Sequence, residues 1–263
     1  MRHRRYRPRA RSVALSAAAL TAGAALIAAS LPHTGTAQSA HLTGTDVPLQ
    51  AGPLLPDPFT TLDGTPVVTQ ADWADRRTEI LSLAEEHVYG PRPEAPENVT
   101  GAVSDTSITV DVTDRGTSTQ FSASVDLPAG SGPFPAVVVL GGFGADTDTI
   151  LSSGAAVIGF DPYQVGAEGT GRDNKQGAFY DLYGSDSDTG LLMAWSWGVS
   201  RIIDVIEQAD GDVLVPDSNG VTGCSRFGKG AFVAGAFDER IDLTLPVESG
   251  TAGVPAFRSV AQE

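Results

Sequence analysis

Two kinds of hydrophobic spacing run through this chain. From Ser107 to Thr113, apolar Ile108, Val110 and Val112 alternate with Thr109 and Asp111. From Thr119 to Leu127, Phe121, Ala123, Val125 and Leu127 fall on one side. A period of two marks a strand with one buried face. Asp114-Arg115-Gly116 supplies the turn between them, so the two read as an antiparallel pair. Beyond Leu127 the alternation stops. Phe134–Leu140 (FPAVVVL) and Ala155–Phe160 (AAVIGF) are unbroken apolar runs, as expected of strands covered by helices on both faces. Gly220–Cys224 and Ile241–Val247 read as further short strands.

Helical spacing separates these strands. Gln70–His87 sets Trp73, Ile80, Leu81, Leu83, Ala84 and Val88 roughly on one face, and Tyr89-Gly90-Pro91 stops the helix. Leu191–Gln208 predicts a long helix. Met193, Trp197, Ser200, Arg201, Asp204 and Glu207 make it two-faced, and Ile202, Ile203 and Ile206 are core candidates. Gly228–Phe237 predicts another helix. An antiparallel pair followed by alternating strand and helix points to an α/β fold whose sheet continues in parallel, with helices on both faces. The 263 residues suffice for one large domain, and no internal repeat interrupts it.

The first 37 residues stand apart. Met1–Ser12 carries six arginines and no acid, Val13–Leu31 is almost wholly apolar, and small residues follow to Ala37. This is the order of a secretory signal, with cleavage expected after Ala37. The Ala-rich apolar run and the cleavage site favour export over a membrane anchor. Residues 38–58 read as an extended lead-in, and 59–263 as a partial α/β domain. Loss of the signal leaves 11 basic against 32 acidic residues, a net charge near −21. Such a charge opposes binding to nucleic acid or anionic membranes, and it repels an acidic polymer at long range. Cys224 is the sole cysteine. It is either a small buried apolar side chain or half of a disulfide whose partner lies outside this sequence.

The candidate chemistry centres on Gly223-Cys224-Ser225-Arg226-Phe227-Gly228-Lys229, between a predicted strand and a predicted helix. A serine on so sharp a turn is raised above the sheet edge, and small neighbours let the backbone pass. The following helix aims its free N–H groups and positive dipole end at the same spot, where an oxyanion needs stabilising. The usual elbow is Gly-x-Ser-x-Gly, and here the second glycine comes one place late. The pattern alone therefore leaves Ser225 open as nucleophile or as an ordinary turn or cap serine. Arg226 reads either as a fixed charge for the oxyanion or as a surface arginine paired with an acid. Lys229, one turn further on, reads as a contact to substrate oxygens or as a solvated lysine. Glu248, ending the next strand, reads as a carboxylate that orients a histidine or as a loop acid. Gly141-Gly142-Phe143-Gly144 follows a strand and lets backbone N–H groups approach a reacting oxygen. The rival dinucleotide turn lacks its third glycine.

Several strings together resemble the glucuronoyl esterases, carbohydrate esterases of the α/β-hydrolase class. They are Val221–Gly230, Leu245–Gly250, Phe179–Gly184, Leu192–Asp204 and the lead-in Leu55–Phe59 with the helix near Trp73. The resemblance implies a secreted serine esterase cleaving esters between 4-O-methyl-glucuronoxylan and lignin alcohols, with no cofactor or metal, acting as a monomer. It implies Ser225 as nucleophile, Arg226 at the oxyanion, Lys229 on the glucuronate and Glu248 as triad acid. It also implies a disulfide from Cys224 to a cysteine beside the catalytic histidine. That histidine is missing where the order serine, acid, histidine requires it: His3, His33, His41 and His87 all precede Ser225. His87 reads as packing or capping its helix rather than as a base. The expectation is therefore a chain truncated at its C-terminus, with an incomplete sheet. Within the enzyme class, another carbohydrate or acetyl esterase is the alternative. Outside it, the alternative is a catalytically dead carbohydrate-binding protein.

Overall fold

A computed structural model of the chain describes residues 55–209 and 211–255. The proposed signal, and the lead-in up to residue 54, lie outside the described residues.

Seven strands form one sheet in the order β1-β2-β3-β5-β4-β6-β7. They are β1 (Asn98–Val103), β2 (Ser107–Asp114), β3 (Thr117–Asp126), β4 (Phe134–Leu140), β5 (Ala156–Phe160), β6 (Leu214–Cys224) and β7 (Ile241–Val247). β1–β2 and β2–β3 pair antiparallel, β3 runs antiparallel to β5, and β5, β4, β6 and β7 are parallel. The helices are α1 (Gln70–Ala84), α2 (Thr147–Ser152), α3 (Ala178–Tyr183), α4 (Leu191–Gln208) and α5 (Arg226–Phe237). This is the expected α/β sheet, antiparallel first and then parallel.

The alternation in β2 and β3 survives as burial. Ile108, Val110 and Val112 are fully buried, as nearly are Phe121, Ala123 and Val125, while the residues between them face outward. In β4 the continuous run is explained by cover on both faces. Val138 and Leu140 join the main core with Phe160, Trp195 and Ile202. Val137 and Val139 join a second cluster with Val157, packed by Ile150 and Leu151 of α2.

Two helices differ from the spacing argument. Trp73 and Val88 are exposed, and the only buried side chain of α1 is Arg76. A Thr69–Asp72 capping box starts the helix: Thr69 Oγ1 accepts from the Asp72 N–H at 3.1 Å, and Asp72 accepts from the Thr69 N–H at 2.8 Å. Arg77 holds the helix to the core by donating to the Ala236 carbonyl at 2.8 Å. A wide turn, Glu85–Tyr89, continues it and places His87 in solvent, so His87 is not a packing residue. In α4, Met193, Trp197, Ser200 and Arg201 are all buried, and the helix has no broad wet face. Its charged groups are paired within the protein. Arg201 bonds Asp204, and Arg240 reaches Asp204 and Glu207 at 2.7 Å each.

The chain leaves β4 for β5 on one side, then returns past β4 to β6 on the other. Right-handed crossovers running in opposite directions place their helices on opposite faces. The topological switch point therefore lies at the carboxyl ends of β4 and β6, the place where open α/β sheets bind their ligands.

Candidate active site

Four connections meet at that carboxyl edge: the glycine loop after β4, the Asp161–Gln164 turn after β5, Ser225 after β6 and Glu248 after β7. Ser225 stands between β6 and α5 at φ 57°, ψ −123°, a conformation that side-chain-bearing residues rarely adopt. Two hydrogen bonds and a strand pairing hold this corner. The Ser225 N–H donates to the Val247 carbonyl at 2.9 Å, and the Ser225 carbonyl accepts from the Lys229 N–H at 3.1 Å. Cys224 pairs in register with Val247 of β7. The Ser225 side chain makes no capping bond and is exposed, which rules out the ordinary N-cap reading.

The displaced glycine has a structural cause. A Cβ on Gly223 would lie 2.6 Å from the Phe227 carbonyl, and one on Gly228 would lie 2.5 Å from the Val247 carbonyl. The second close approach is thus made against β7 by Gly228, which frees position 227 for a large side chain. Phe227 is buried among Trp195, Tyr163 and Phe143, with ring centroids 5.5, 5.7 and 5.8 Å away. Its ring fills the place that a side chain on Gly141 would take, at 2.2 Å. A Cβ on Gly144 would lie 2.2 Å from that of Cys224. The Gly141–Gly144 loop therefore lies directly on the elbow.

Arg226 is paired with an acid. Its Nε donates to the Tyr163 hydroxyl at 3.0 Å and lies 3.1 Å from the Glu168 carboxylate. Tyr163 donates in turn to Glu168 at 2.8 Å. The guanidinium sits 4.7 Å above the Phe227 ring centroid. The bond to Tyr163 raises the already high pKa of Arg226, so the charge is permanent. Desolvation, then the bond to Glu168, raise that of Tyr163. Arg226 is thus an arginine paired with an acid, yet fixed beside the nucleophile candidate. Sequence reasoning missed Tyr163 and Glu168. The separation of 63 residues between Tyr163 and Arg226 leaves no local pattern. The one available signal was that Asp161-Pro162-Tyr163 follows an apolar strand at its carboxyl end.

Glu248 follows the strand end next to Ser225, is exposed, and takes φ 46°. Neighbouring strands are about 4.8 Å apart, so the two residues emerge from adjoining positions on one edge. Lys229 is half-buried on the first turn of α5. Cys224 is a half-buried free thiol beneath the loop. His87 lines a hollow with Glu85, Glu86 and Asp188 at the end of α1, with no described contact to the elbow. Among the described residues, no cluster of His, Cys, Asp or Glu could hold a metal ion, and no helix is long and apolar enough to cross a membrane. Chemically, the edge presents an exposed hydroxyl, a fixed cation and a carboxylate. It also has the α5 N–H groups of Arg226, Phe227 and Gly228, which precede the first helical bond.

A sheet of this order, with a serine raised on the turn between β6 and α5, defines the chain as one of the α/β-hydrolase class. A family model described as glucuronyl esterase of fungi matches residues 110–263, and the chain belongs to that family. It is 41% identical over 254 residues to a 4-O-methyl-glucuronoyl methylesterase of Thermothelomyces thermophilus, covering 95% of this chain and 63% of the relative. It is 44% identical over 204 residues to one from Schizophyllum commune, covering 78% and 52%. A mutant glucuronoyl esterase from Sporotrichum thermophile, in complex with methyl 4-O-methyl-β-D-glucopyranuronate, matches with a TM-score of 0.72 at 43% identity, covering 78% of this chain and 55% of that one. The chain thus spans roughly half to two thirds of the length of these relatives.

Proposed function

We propose that this chain carries the nucleophile of a secreted serine esterase that hydrolyses glucuronoyl esters, those of 4-O-methyl-glucuronoxylan with lignin alcohols. The observation that carries the reading is the strained, exposed Ser225 beside a permanently charged Arg226 at the carboxyl edge of the sheet. Ser225 Oγ attacks the ester carbonyl and gives up its proton to the base, which then passes it to the departing alcohol. The charge that develops on the carbonyl oxygen faces the Arg226 guanidinium and the start of α5. The alcohol leaves, the glucuronoyl group stays on Ser225, and water releases it as glucuronate. Lys229 contacts the glucuronate, and Glu248 orients the imidazolium of the base. That base is a histidine from outside the described residues, since His87 does not adjoin the elbow. The relatives' printed names, with methyl glucuronate bound in one of them, favour a uronate ester over an acetyl ester. We further propose export on the N-terminal signal and a monomeric protein without cofactor.

The test is methanol release from methyl 4-O-methyl-glucuronate, with an acetylated sugar as control, by the protein and by Ser225→Ala, with and without added imidazole. The expected result is Ser225-dependent cleavage of the uronate ester that imidazole accelerates. Equal rates in Ser225→Ala would sink the proposal. Binding without turnover under every condition gives the carbohydrate-binding reading instead.

A further inference from the structure

The proposed reaction sets a charge problem at Arg226. The substrate is a neutral ester, and the product is a carboxylate. A bare guanidinium beside the acyl site would hold that product and block the next turnover. Arg226 is not bare. Glu168 lies 3.1 Å from its Nε, and Tyr163 ties the two together through bonds of 3.0 and 2.8 Å. The Tyr163 ring is packed against Trp195 and Phe227, so the bridging hydroxyl is anchored in the core rather than in a loose loop. Trp195 is pinned in turn by donating to the Gly166 carbonyl at 2.8 Å, which fixes the segment that carries Glu168. Lys229 on α5 and Glu248 after β7 also carry charge near the elbow.

We infer that Glu168 is a specificity-determining residue: its carboxylate offsets the Arg226 charge, so that the site holds a neutral uronate ester and rejects the uronate anion it produces. This rests on the proposed glucuronoyl esterase reading and adds product discrimination to it. The oxyanion of the tetrahedral intermediate still faces the guanidinium and, in addition, the free N–H groups at the start of α5.

The experiment uses Ser225→Ala protein, which cannot turn over, with and without Glu168→Gln. Gln keeps acceptors for Tyr163 and Arg226 while removing the charge. Calorimetry measures binding of methyl 4-O-methyl-glucuronate and of 4-O-methyl-glucuronate near neutral pH and low salt. Removing the charge that offsets Arg226 should raise the affinity for the anion roughly three- to tenfold, leave the ester within about twofold, and lose most of the difference near 0.5 M salt. Glu168→Asp, which restores the charge, should restore the weak binding of the acid. Equal changes for acid and ester, or none, overturn the inference while leaving the functional reading intact. If Ser225→Ala protein binds neither ligand, the functional reading falls and takes the inference with it.

Discussion

Replacing Ser225 by glycine should stabilise the protein while removing its ability to form an acyl intermediate. Ser225 is held at φ 57°, ψ −123°. A side-chain-bearing residue in so sparsely populated a region costs about 1–3 kcal/mol. Glycine adopts it freely but loses about 0.5–1 kcal/mol more chain entropy on folding than alanine does. The net gain is about 0.5–2 kcal/mol. For a domain of this size that raises Tm by about 2–6 °C. Ser225→Ala keeps the Cβ and therefore the strain. Because the hydroxyl makes no capping bond, that variant should stay within about 0.5 kcal/mol of the parent. Parallel thermal scans of the three proteins separate strain from the loss of the hydroxyl. If the glycine variant melts at or below the alanine variant, the corner is not strained and the argument for a built nucleophile position fails.

Arg240 should govern acid stability. Burial disfavours ionisation of Asp238, but bonds from Arg240 and Ser200 outweigh it and hold the carboxyl at about 2, below its ordinary 3.8. Its contribution is present in full above the unfolded pKa and is lost as pH falls toward 2, about 2 kcal/mol in all. Arg240→Met should destabilise the protein by about that much at pH 7 and flatten the decline of stability between about pH 5 and 2, measured by urea unfolding. An unchanged acid slope would count against the network. Gly228→Ala sets a Cβ 2.5 Å from the Val247 carbonyl and 3.0 Å from that of Gly223, backbone atoms that yield only if α5 moves from β7. A loss of about 2–3 kcal/mol by denaturant titration, with reduced reactivity at Ser225, is expected. Normal stability would mean that this close approach does not exist.

Much of the sheet was legible because its strands obey one rule each. β2 and β3 alternate because one face is wet, and β4 is solidly apolar because α2 covers one face and α4 and α5 the other. The Ile241–Val247 bounds agree between sequence and structure. Leu243, Leu245 and Val247 nonetheless stay exposed on β7, which among the described residues pairs only with β6. Elsewhere tertiary context prevailed. β6 begins at Leu214, six residues before the apolar stretch, because pairing with β4 holds a polar segment through a register shift. β1 (NVTGAV) is an outer strand with little buried surface and no clear period. The wet side assigned to α4 vanished because Arg201, Asp204 and Arg240 neutralise one another inside the fold. At the site, the elbow was visible as a local string. The fit of Phe227 beneath Gly141, and the hold of Tyr163 and Glu168 on Arg226, were not, since each joins segments far apart in sequence.

The most direct measurement is the mass of the protein after exposure to a fluorophosphonate, followed by peptide mapping. The account predicts one adduct, on the peptide that contains Ser225, absent from Ser225→Ala. Labelling of a different serine, or an inert Ser225 under conditions where imidazole is supplied, would contradict it.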